Sequence, residues 1–397
     1  MPTMPRQQTR RETLRLAAFA LTALCLMAVS LAPAYAGPRE QARRIHDRIA
    51  GVPPTDAVLD SMAADIAAGD AEGAAYTAME NSGFYNITLK NWAAPWTNRE
   101  QSVFVPLNDY TATVIGMVRD EIAFNTLLSA DIVYVGNDNL GLPGYSMANN
   151  SHYEEMEDRG IDLKTGLRRT EQSTVTSLTP NATAGIMTSR AAAEAFFIAG
   201  TNRAMFRFTM INHLCRDMEE VHDTSRIPDR IRQDVSRSPG GDSRVFLNNC
   251  IGCHNGMDPM TQAFAYYNFN PDSGSIEYTE GQVQPKYFNN ADNFRPGFST
   301  PDDSWDNYWR AGKNSLLGWD PNLGGSGSGA KSLGQELGNS DAFAECQATK
   351  VFEAVCFRGP VNGDDRAQID SMVASLRGTN YKLKQTFAEA AVYCMGD

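Results

Sequence analysis

Three residues whose spacing is typical of covalent cofactor attachment lie in the segment VFLNNCIGCHNGMDP, residues 245–259. Cys250, Cys253 and His254 form a C-x-x-C-H motif. On an α-helix these intervals bring all three side chains to one side. The two cysteine sulfurs can then form thioethers with the vinyl groups of one haem, while the histidine binds its iron. The motif therefore predicts a c-type haem, with Cys250 and Cys253 as attachment sites and His254 as an axial iron ligand.

Three other interpretations of the motif stay open at the level of the sequence. A disulfide between Cys250 and Cys253 needs no haem, although it leaves His254 without a role. A zinc ion could be bound by the two cysteines together with Cys215 or His213, although structural zinc is less usual where cysteines meet an oxidising compartment. The third interpretation is a chance occurrence. The combination of the motif with an export signal favours haem over all three.

The N-terminus predicts export. Residues 1–36 contain a basic start, an apolar run over residues 16–32 and the triplet Ala34-Tyr35-Ala36. Together these are typical of a secretory signal peptide that is cut after Ala36; an uncleaved membrane anchor is the alternative, and the cleavage pattern disfavours it. No later segment has a run of about eighteen apolar residues, so we expect no stable membrane insertion after cleavage. The predicted location is periplasmic or secreted.

The chain is acidic. Its 397 residues include 35 Lys plus Arg and 47 Asp plus Glu, which gives a net charge of −12. This balance disfavours nucleic acid and anionic membrane surfaces as partners, because both repel a negative protein. It is compatible with a redox partner protein that offers a basic docking surface. The simpler interpretation, that the acidity only keeps the protein soluble, stays open.

Six of the seven cysteines follow the predicted signal peptide, and an even number indicates disulfides in an exported protein. If the two motif cysteines carry haem, Cys215, Cys346, Cys356 and Cys394 are left, with three possible pairings. Cys346 and Cys356 are about 15 Å apart on a predicted helix, which is too far for one bridge. Three C-terminal helices that alternate in direction would bring Cys356 and Cys394 to the same side. We therefore predict the disulfides Cys356–Cys394 and Cys215–Cys346.

Hydrophobic periodicity predicts a mainly α-helical protein. We expect a multi-helix, cytochrome-c-like haem core with flanking helical regions and a small β-hairpin insertion. Residues 37–165 form the N-terminal helical region, and residues 166–270 form the haem-binding, cytochrome-c-like region. Residues 271–332 form the insertion with the hairpin and a Gly-rich loop, and residues 333–397 form the C-terminal helical region. The motif thus lies near the end of the second region, between helices that must position it.

Residues around the motif predict where its helix begins and ends. The turn signal SPGGDS, residues 238–243, leads into the helix that holds Cys250. Gly252, between the two cysteines, predicts room for the edge of a porphyrin. Asp258 and Pro259 are a suitable N-cap and first-turn pair, so we expect a new helix to begin there, past the haem.

One Gly-rich segment is similar to a phosphate-binding loop. It has the sequence GGSGSGAKS, residues 324–332. Ala330 interrupts the spacing between the last glycine and Lys331, and the pattern upstream predicts no strand leading into the segment. A phosphate-binding loop needs a strand, a loop and a helix N-terminus together, so this interpretation is rejected.

Several stretches of the chain resemble a family of exported c-type-cytochrome-like proteins marked by C-x-x-C-H-x-x-[MI]-D-P. FLNNCIGCHNGMDP carries this pattern, and NTLLSADIVYVGND is similar to an L-L-T-A-D segment of the family, with Ser129 in place of the threonine. GIMTSRAAAEAFFIAGTNRAMFRFTMINHLC and SDAFAECQATKVFEAVCFRGP resemble its helical segments. The resemblance implies haem on Cys250 and Cys253, with His254 as ligand. It implies no substrate, because the activity of the family is not established.

The ligand on the opposite face of the iron decides the function. We expect it to come from upstream of the motif, with Met187 or His213 as the distal ligand. With two strong ligands, one covalent haem c would pass electrons, and the protein would be a carrier or the haem subunit of an oxidoreductase. With an open position the iron could react with peroxide or oxygen, as in a peroxidase-like enzyme. A binding module that haem only stabilises is the third alternative, and electron transfer is our prediction.

We expect the exported chain to be cut between Ala36 and Gly37, because the small residues of the A-x-A triplet fit a signal peptidase. N-terminal sequencing of protein recovered from the periplasm of an expression host should therefore begin at Gly37. Ala36→Leu should leave an uncleaved precursor, whereas Ala32→Leu, within the apolar run, should be cut normally. A wild-type protein that keeps residues 1–36, or that begins elsewhere, contradicts the prediction.

Overall fold

Helices dominate the computed structural model, which describes residues 36–288 and 294–396. The predicted signal peptide lies outside the described residues, apart from Ala36 at its predicted end. Small antiparallel sheets of two strands each accompany the helices. The mainly α-helical class predicted from the sequence is therefore confirmed. Within these two ranges, no helix is both long enough and apolar enough to cross a lipid bilayer.

The α-helices are separated by connections of unequal length, and residues 215–242, just before the motif helix, contain no α-helix. Those upstream of the motif span Pro38–Ala50, Asp56–Ala67, Ala71–Met79, Lys90–Ala93, Asp109–Arg119, Ser151–Asp158, Leu163–Gly166, Gln172–Val175, Arg190–Phe196 and Arg203–Thr209. The motif lies on Ser243–Val245, the π-helical turn Phe246–Cys250, and Ile251–Thr261, which together form one continuous segment, residues 243–261. We call this segment the motif helix. The C-terminal helices span Gly329–Gly338, Asp341–Cys356, Gly363–Gly378 and Leu383–Tyr393.

The strands form three short antiparallel pairs within the described residues. Val133–Gly136 pairs with Leu167–Thr170, Tyr267–Asn270 with Ser275–Tyr278, and Ser304–Asp306 with Ser326–Ser328. The second pair is a hairpin near the predicted one, but its first strand, Tyr267–Asn270, lies entirely before the predicted insertion at residues 271–332. Phe269 lies opposite Ile276, and both side chains are buried in the main core. This cross-strand pair fastens the hairpin to the helices.

The helix Asp109–Arg119 lies at the centre of the core, since every residue from 109 to 118 is buried. The cluster of buried apolar side chains around it extends from Ala42 in the first described helix to Ala391 in the last. Helices from both ends of the chain therefore bury their apolar faces together. The regions predicted from the sequence share one main hydrophobic core, and each contributes residues to it.

Side-chain caps determine where several helices begin. Thr55 precedes the helix Asp56–Ala67 and accepts a hydrogen bond from the backbone N–H of Val58. Asp242 caps the motif helix in the same way, with Oδ1 2.9 Å from the backbone nitrogen of Arg244. Each cap satisfies a backbone donor that the first helical turn leaves unpaired. The turn signal SPGGDS therefore leads into a helix, as predicted.

Two disulfides tie the C-terminal helices to their neighbours. Cys215 pairs with Cys346, and Cys356 pairs with Cys394, with Cα atoms 5.3 and 5.6 Å apart. These are the two pairs expected from the sequence. The first bridge holds the chain just after the π-helical turn Met210–Leu214 against the helix Asp341–Cys356. The second joins the end of that helix to the residue that follows the last helix.

One helix boundary predicted near the motif is wrong. Asp258 and Pro259 do not begin a new helix, because Ile251–Thr261 runs through both of them. Proline lacks a backbone N–H and is usually excluded from helix interiors. Here the side chain of Asp258 does not cap a helix; it binds His254 and Arg203 instead.

A short strand lies within the Gly-rich segment 324–332, while residues 318–323 just before the segment form no strand, as expected. The strand Ser326–Ser328 pairs with Ser304–Asp306 and continues into the helix Gly329–Gly338. The strand is only three residues long, and the amino group of Lys331 donates a hydrogen bond to the carbonyl oxygen of Pro180. The lysine is therefore engaged by the protein's own backbone.

Removing the two disulfides should destabilise the protein unequally. Cys215→Ala with Cys346→Ala should lower the free energy of unfolding by about 5 kcal/mol, and Cys356→Ala with Cys394→Ala by about 4 kcal/mol. The reason is loop length, since the first bridge spans 131 residues and the second 38. Urea denaturation of both double variants measures the difference. A larger loss from the shorter loop would show that local packing, rather than chain entropy, sets the stabilisation.

Candidate functional site

The motif helix presents opposite faces to different surroundings. Successive residues on an α-helix turn by about 100°. Cys250, Cys253 and His254 therefore lie on one face, and Gly252 and Gly256 lie on the opposite face. The glycine face is buried, whereas the three motif residues are partly exposed. The fold thus holds the helix by its glycine face and turns the reactive side chains outward.

Two aromatic rings pack directly on the glycine face. A Cβ atom at position 252 would overlap the imidazole of His222, and one at position 256 would overlap the indole of the fully buried Trp309. The predicted role of Gly252, room for a porphyrin edge, is therefore wrong. Its missing side chain makes room for His222. That histidine consequently lies on the face opposite His254.

A loop upstream of the motif is fastened to the same buried face. The Asn255 side-chain amide donates hydrogen bonds to the carbonyl oxygens of Asp223 and Arg226, at 2.7 and 3.2 Å. The backbone N–H of Asp223 donates to the carbonyl oxygen of Gly252 at 2.9 Å. Since a buried amide without partners costs free energy, these bonds fix both the loop and the rotation of the motif helix.

Among the cysteines that the structure describes, Cys250 and Cys253 are the free thiols. Cys250 packs at the edge of a small apolar cluster around Phe246. The Sγ atom of Cys253 lies 3.4 Å from the carbonyl oxygen of Met218. The two motif sulfurs are therefore not joined to each other, and both are half-buried beside the outward face of the helix.

The surroundings of Cys253 favour a neutral sulfur. Burial raises the pKa of its thiol, and the negative charges of Glu219 and Asp217 raise it further. Zinc sites and reactive C-x-x-C pairs use thiolates, which need the opposite shift in pKa. The sulfur of a thioether carries no charge. The raised pKa thus makes Cys253 a protonated thiol at neutral pH rather than an activated thiolate.

The imidazole of His254 is anchored at one nitrogen and open at the other. Its side chain is 21% exposed, and its Nδ1 atom lies 3.1 Å from Oδ1 of Asp258. The two residues are four apart on one helix, so the contact forms within the helix itself. In the part of the chain that the structure describes, no hydrogen bond occupies Nε2 of His254. That nitrogen is the one that could bind a metal.

Asp258 belongs to a buried network of ions. Its fully buried carboxylate accepts two hydrogen bonds from Arg203, from Nε at 2.7 Å and Nη2 at 2.9 Å. Arg203 also donates to both oxygens of Asp234, at 2.6 and 2.9 Å. The backbone N–H of Arg232 donates a hydrogen bond to Oδ2 of Asp258 at 3.2 Å. The guanidinium of Arg232 lies 3.9 Å from Oδ1 of the same carboxylate. Two arginines and two aspartates thus balance one another.

This network keeps Asp258 ionised. Burial by itself raises its pKa, but the positive charges of Arg203 and Arg232, together with the hydrogen bond from His254, outweigh burial and hold the pKa well below its usual value. Because the folded pKa is lowered, the stabilisation is complete above the ordinary carboxylate pKa. It is lost only as the pH falls toward the lowered value. The partner of His254 is therefore a carboxylate, which can only accept a hydrogen bond.

The two side chains predicted as distal ligands are enclosed in the core. His213 shares a hydrogen bond of 2.7 Å with the hydroxyl of Tyr110, and its ring packs against Trp96. Burial and the nearby charge of Lys350 lower the pKa of His213 to about 3. Met187 is fully buried as well. The structure therefore brings neither side chain to the outward face of the motif helix.

The zinc site considered from the sequence is not formed in the described residues. Cys215 is bonded to Cys346, and His213 shares its hydrogen bond with Tyr110. Over residues 36–288 and 294–396, no group of three or more His, Cys, Asp and Glu side chains could hold a metal ion. Within these residues, the two motif sulfurs and the imidazole of His254 therefore do not form a metal site by themselves.

The residues present fit a covalently attached haem. Two free sulfurs and the open nitrogen of His254 lie on one face, and Leu247, one turn before Cys250, is 55% exposed. A flat apolar cofactor that covers Leu247 would remove its exposed apolar surface from water. Two clefts of about 610 and 630 Å³ are lined by other residues. Neither cleft includes a residue of the motif helix.

Comparisons with known proteins do not identify a relative. No family model, curated protein or solved structure matches the chain. The interpretation of the site therefore depends on its own residues and their geometry.

Sequence reasoning missed the contact between His254 and Asp258. Their spacing of four residues is a signal for such a contact on a helix. The Asp-Pro pair at 258–259 hid this signal, because it is also typical of a helix start. The packing of Trp309 on Gly256 had no comparable signal, since these residues lie far apart in the chain.

Gly256→Ala should lower the free energy of unfolding by about 1–3 kcal/mol, because the added methyl group overlaps the buried indole of Trp309. Gly378→Ala is a matched control, since Gly378 also lies in a helix and no atom is within 4 Å of an added Cβ. The control should be neutral or slightly stabilising, because alanine favours helices. Urea denaturation measures both variants. Equal stability would show that close packing of Trp309 is not required.

Proposed function

We propose that the protein is an exported c-type cytochrome that binds one haem covalently and transfers electrons, as a carrier or as the haem subunit of an oxidoreductase. In this proposal Cys250 and Cys253 attach the haem, and His254 is an axial iron ligand. The observation that carries the proposal is the outward face of the motif helix, which holds two free sulfurs and an open imidazole nitrogen. The helices around this face would form the cytochrome-c-like core.

The pairing of the other cysteines supports this assignment. Cys215, Cys346, Cys356 and Cys394 are consumed by disulfides, so the free thiols of the described chain are those of the motif. Exported proteins meet an oxidising compartment, where exposed thiols are oxidised or bonded. Two thioether bonds to one haem would consume both motif thiols.

Each motif residue would have a separate task. The sulfurs of Cys250 and Cys253 would hold the haem at two points, and Nε2 of His254 would bind the iron. When bound, haem supplies an iron that alternates between the ferric and ferrous states. The packing of Gly252 and Gly256 against His222 and Trp309 supports this arrangement, because it fixes the helix that carries all three groups.

The net charge supports a protein partner of opposite charge. The chain carries a net charge of −12, and acidic surfaces steer encounters with basic partners. A redox partner in the periplasm or outside the cell with a basic docking surface would fit this charge. The predicted signal peptide supports the location.

A haem enzyme with one open iron position is the second candidate. The observation that favours it is the enclosure of Met187 and His213 in the core, where neither faces the motif. An iron that lacks a strong distal ligand can bind peroxide or oxygen, and the protein would then be peroxidase-like. The two candidates share the attachment site and differ only in the sixth ligand.

Full-length protein made together with a c-type haem maturation system should carry haem that stays on the polypeptide in a denaturing gel. Cys250→Ala with Cys253→Ala should abolish this haem signal, because both thioether sites are removed. The matched control, Cys356→Ala with Cys394→Ala, also removes two cysteines and should keep the haem. A wild-type protein without covalent haem, or haem that survives loss of both motif cysteines, contradicts the proposal.

Carbon monoxide distinguishes the two candidates on the same wild-type preparation. A ferrous spectrum that carbon monoxide leaves unchanged indicates two filled axial positions and supports electron transfer. Immediate binding indicates an open position and supports the second candidate. Peroxide-dependent turnover would then test the enzyme directly.

A further inference from the structure

We propose that Asp258 is the positioning residue of His254: its carboxylate fixes the imidazole with the Nδ1 proton pointing inward and Nε2 open for iron. We also infer that Arg203, which shares the same carboxylate oxygen, limits the negative charge that Asp258 lends to the ring. This inference rests on the proposed function, because the ligand role of His254 belongs to that proposal. It assigns a role to a buried network that the attachment motif by itself does not require.

The hydrogen bond determines which tautomer of His254 is present. An ionised carboxylate can only accept, so the proton between Nδ1 of His254 and Oδ1 of Asp258, 3.1 Å apart, belongs to the ring. A neutral imidazole carries one proton, and Nε2 therefore keeps its lone pair. Metal-binding histidines commonly donate their second nitrogen to a carboxylate in this way.

The carboxylate itself cannot turn away from the ring. Arg203 holds both oxygens of Asp258, through Nε at 2.7 Å and Nη2 at 2.9 Å. The backbone N–H of Arg232 adds a third contact, at 3.2 Å. Arg203 is held in turn by both oxygens of Asp234. With these hydrogen bonds, the fully buried carboxylate of Asp258 is held in one orientation. The imidazole of His254, which is hydrogen-bonded to it, is therefore held in one orientation as well.

Arg203 and His254 both donate a hydrogen bond to Oδ1 of Asp258, and this sharing determines how much Asp258 raises the basicity of the imidazole. Oδ1 accepts from Arg203 at 2.7 Å and from His254 at the longer distance of 3.1 Å. The positive guanidinium is thus the nearer donor and takes much of the charge of the carboxylate. A carboxylate partner raises the basicity of a ligating histidine, and Arg203 moderates this effect.

Asp234 provides the matched control. Asp258→Asn and Asp234→Asn each remove one negative charge from Arg203, and each keeps the size of the side chain. Asp258 contacts His254, whereas the contacts of Asp234 are with Arg203 and Thr201. A merely structural role predicts similar consequences for both variants. A positioning role predicts a change at the iron that is specific to Asp258→Asn.

The test is the reduction potential of the haem-loaded full chain, measured by spectroelectrochemical titration. Asp258→Asn should move the potential in the positive direction, because a less basic ring stabilises the ferric iron less. Asp234→Asn should move it clearly less. Equal shifts in the two variants, or no shift in Asp258→Asn, would overturn the inference. Thermal unfolding of both variants monitors stability separately.

A second readout needs no haem and separates this inference from the proposed function. Nitrogen NMR of the full chain with ¹⁵N-labelled histidine reports the tautomer of each ring, and His254→Gln assigns the signal. His254 should carry its proton on Nδ1 in the wild type and in Asp234→Asn, and should shift toward the Nε2–H form in Asp258→Asn. A wild-type ring protonated on Nε2 overturns the inference even if haem is attached. Absence of covalent haem from a chain with the Nδ1–H ring contradicts the proposed function instead.

Discussion

The buried ion pair between Arg203 and Asp258 connects the segments that present the motif. Arg203 begins the helix Arg203–Thr209, whereas Asp258 lies near the end of the motif helix. Asp234 and Arg232 join the same network from the connecting chain. Loss of one partner of a buried pair leaves an uncompensated charge and typically costs about 3–5 kcal/mol. The pair therefore fixes how the motif helix is rotated, with its glycines inward and its cysteines outward.

The cysteines divide between two tasks. Two disulfides hold the helix Asp341–Cys356 to the upstream chain and to the end of the last helix, while the motif thiols stay free. The main core extends from Ala42 to Ala391, far beyond what a single attachment motif needs. The candidate site is thus one face of a large helical body.

Local rules predicted those features that depend on neighbouring residues. The turn signal at residues 238–243, which leads into the motif helix, and the hairpin near residues 267–278 both arise from contacts over a few positions. The same rules failed where distant residues intervene. Asp258 has the sequence context of a helix start, but Arg203, 55 residues away, binds its carboxylate within a continuous helix. The strand Ser326–Ser328 forms because Ser304–Asp306 pairs with it, which no local pattern indicated.

The sequence by itself determined the attachment chemistry that we propose, because the spacing of Cys250, Cys253 and His254 acts within little more than one helical turn. It also predicted the two disulfide pairs. After the predicted signal peptide, the motif leaves four other cysteines, and the length of a helix excludes a bridge between Cys346 and Cys356. Only the tertiary structure decided which face of the motif helix is exposed, which group holds His254, and where Met187 lies. These depend on side chains that are far apart in the chain and meet only in the folded core.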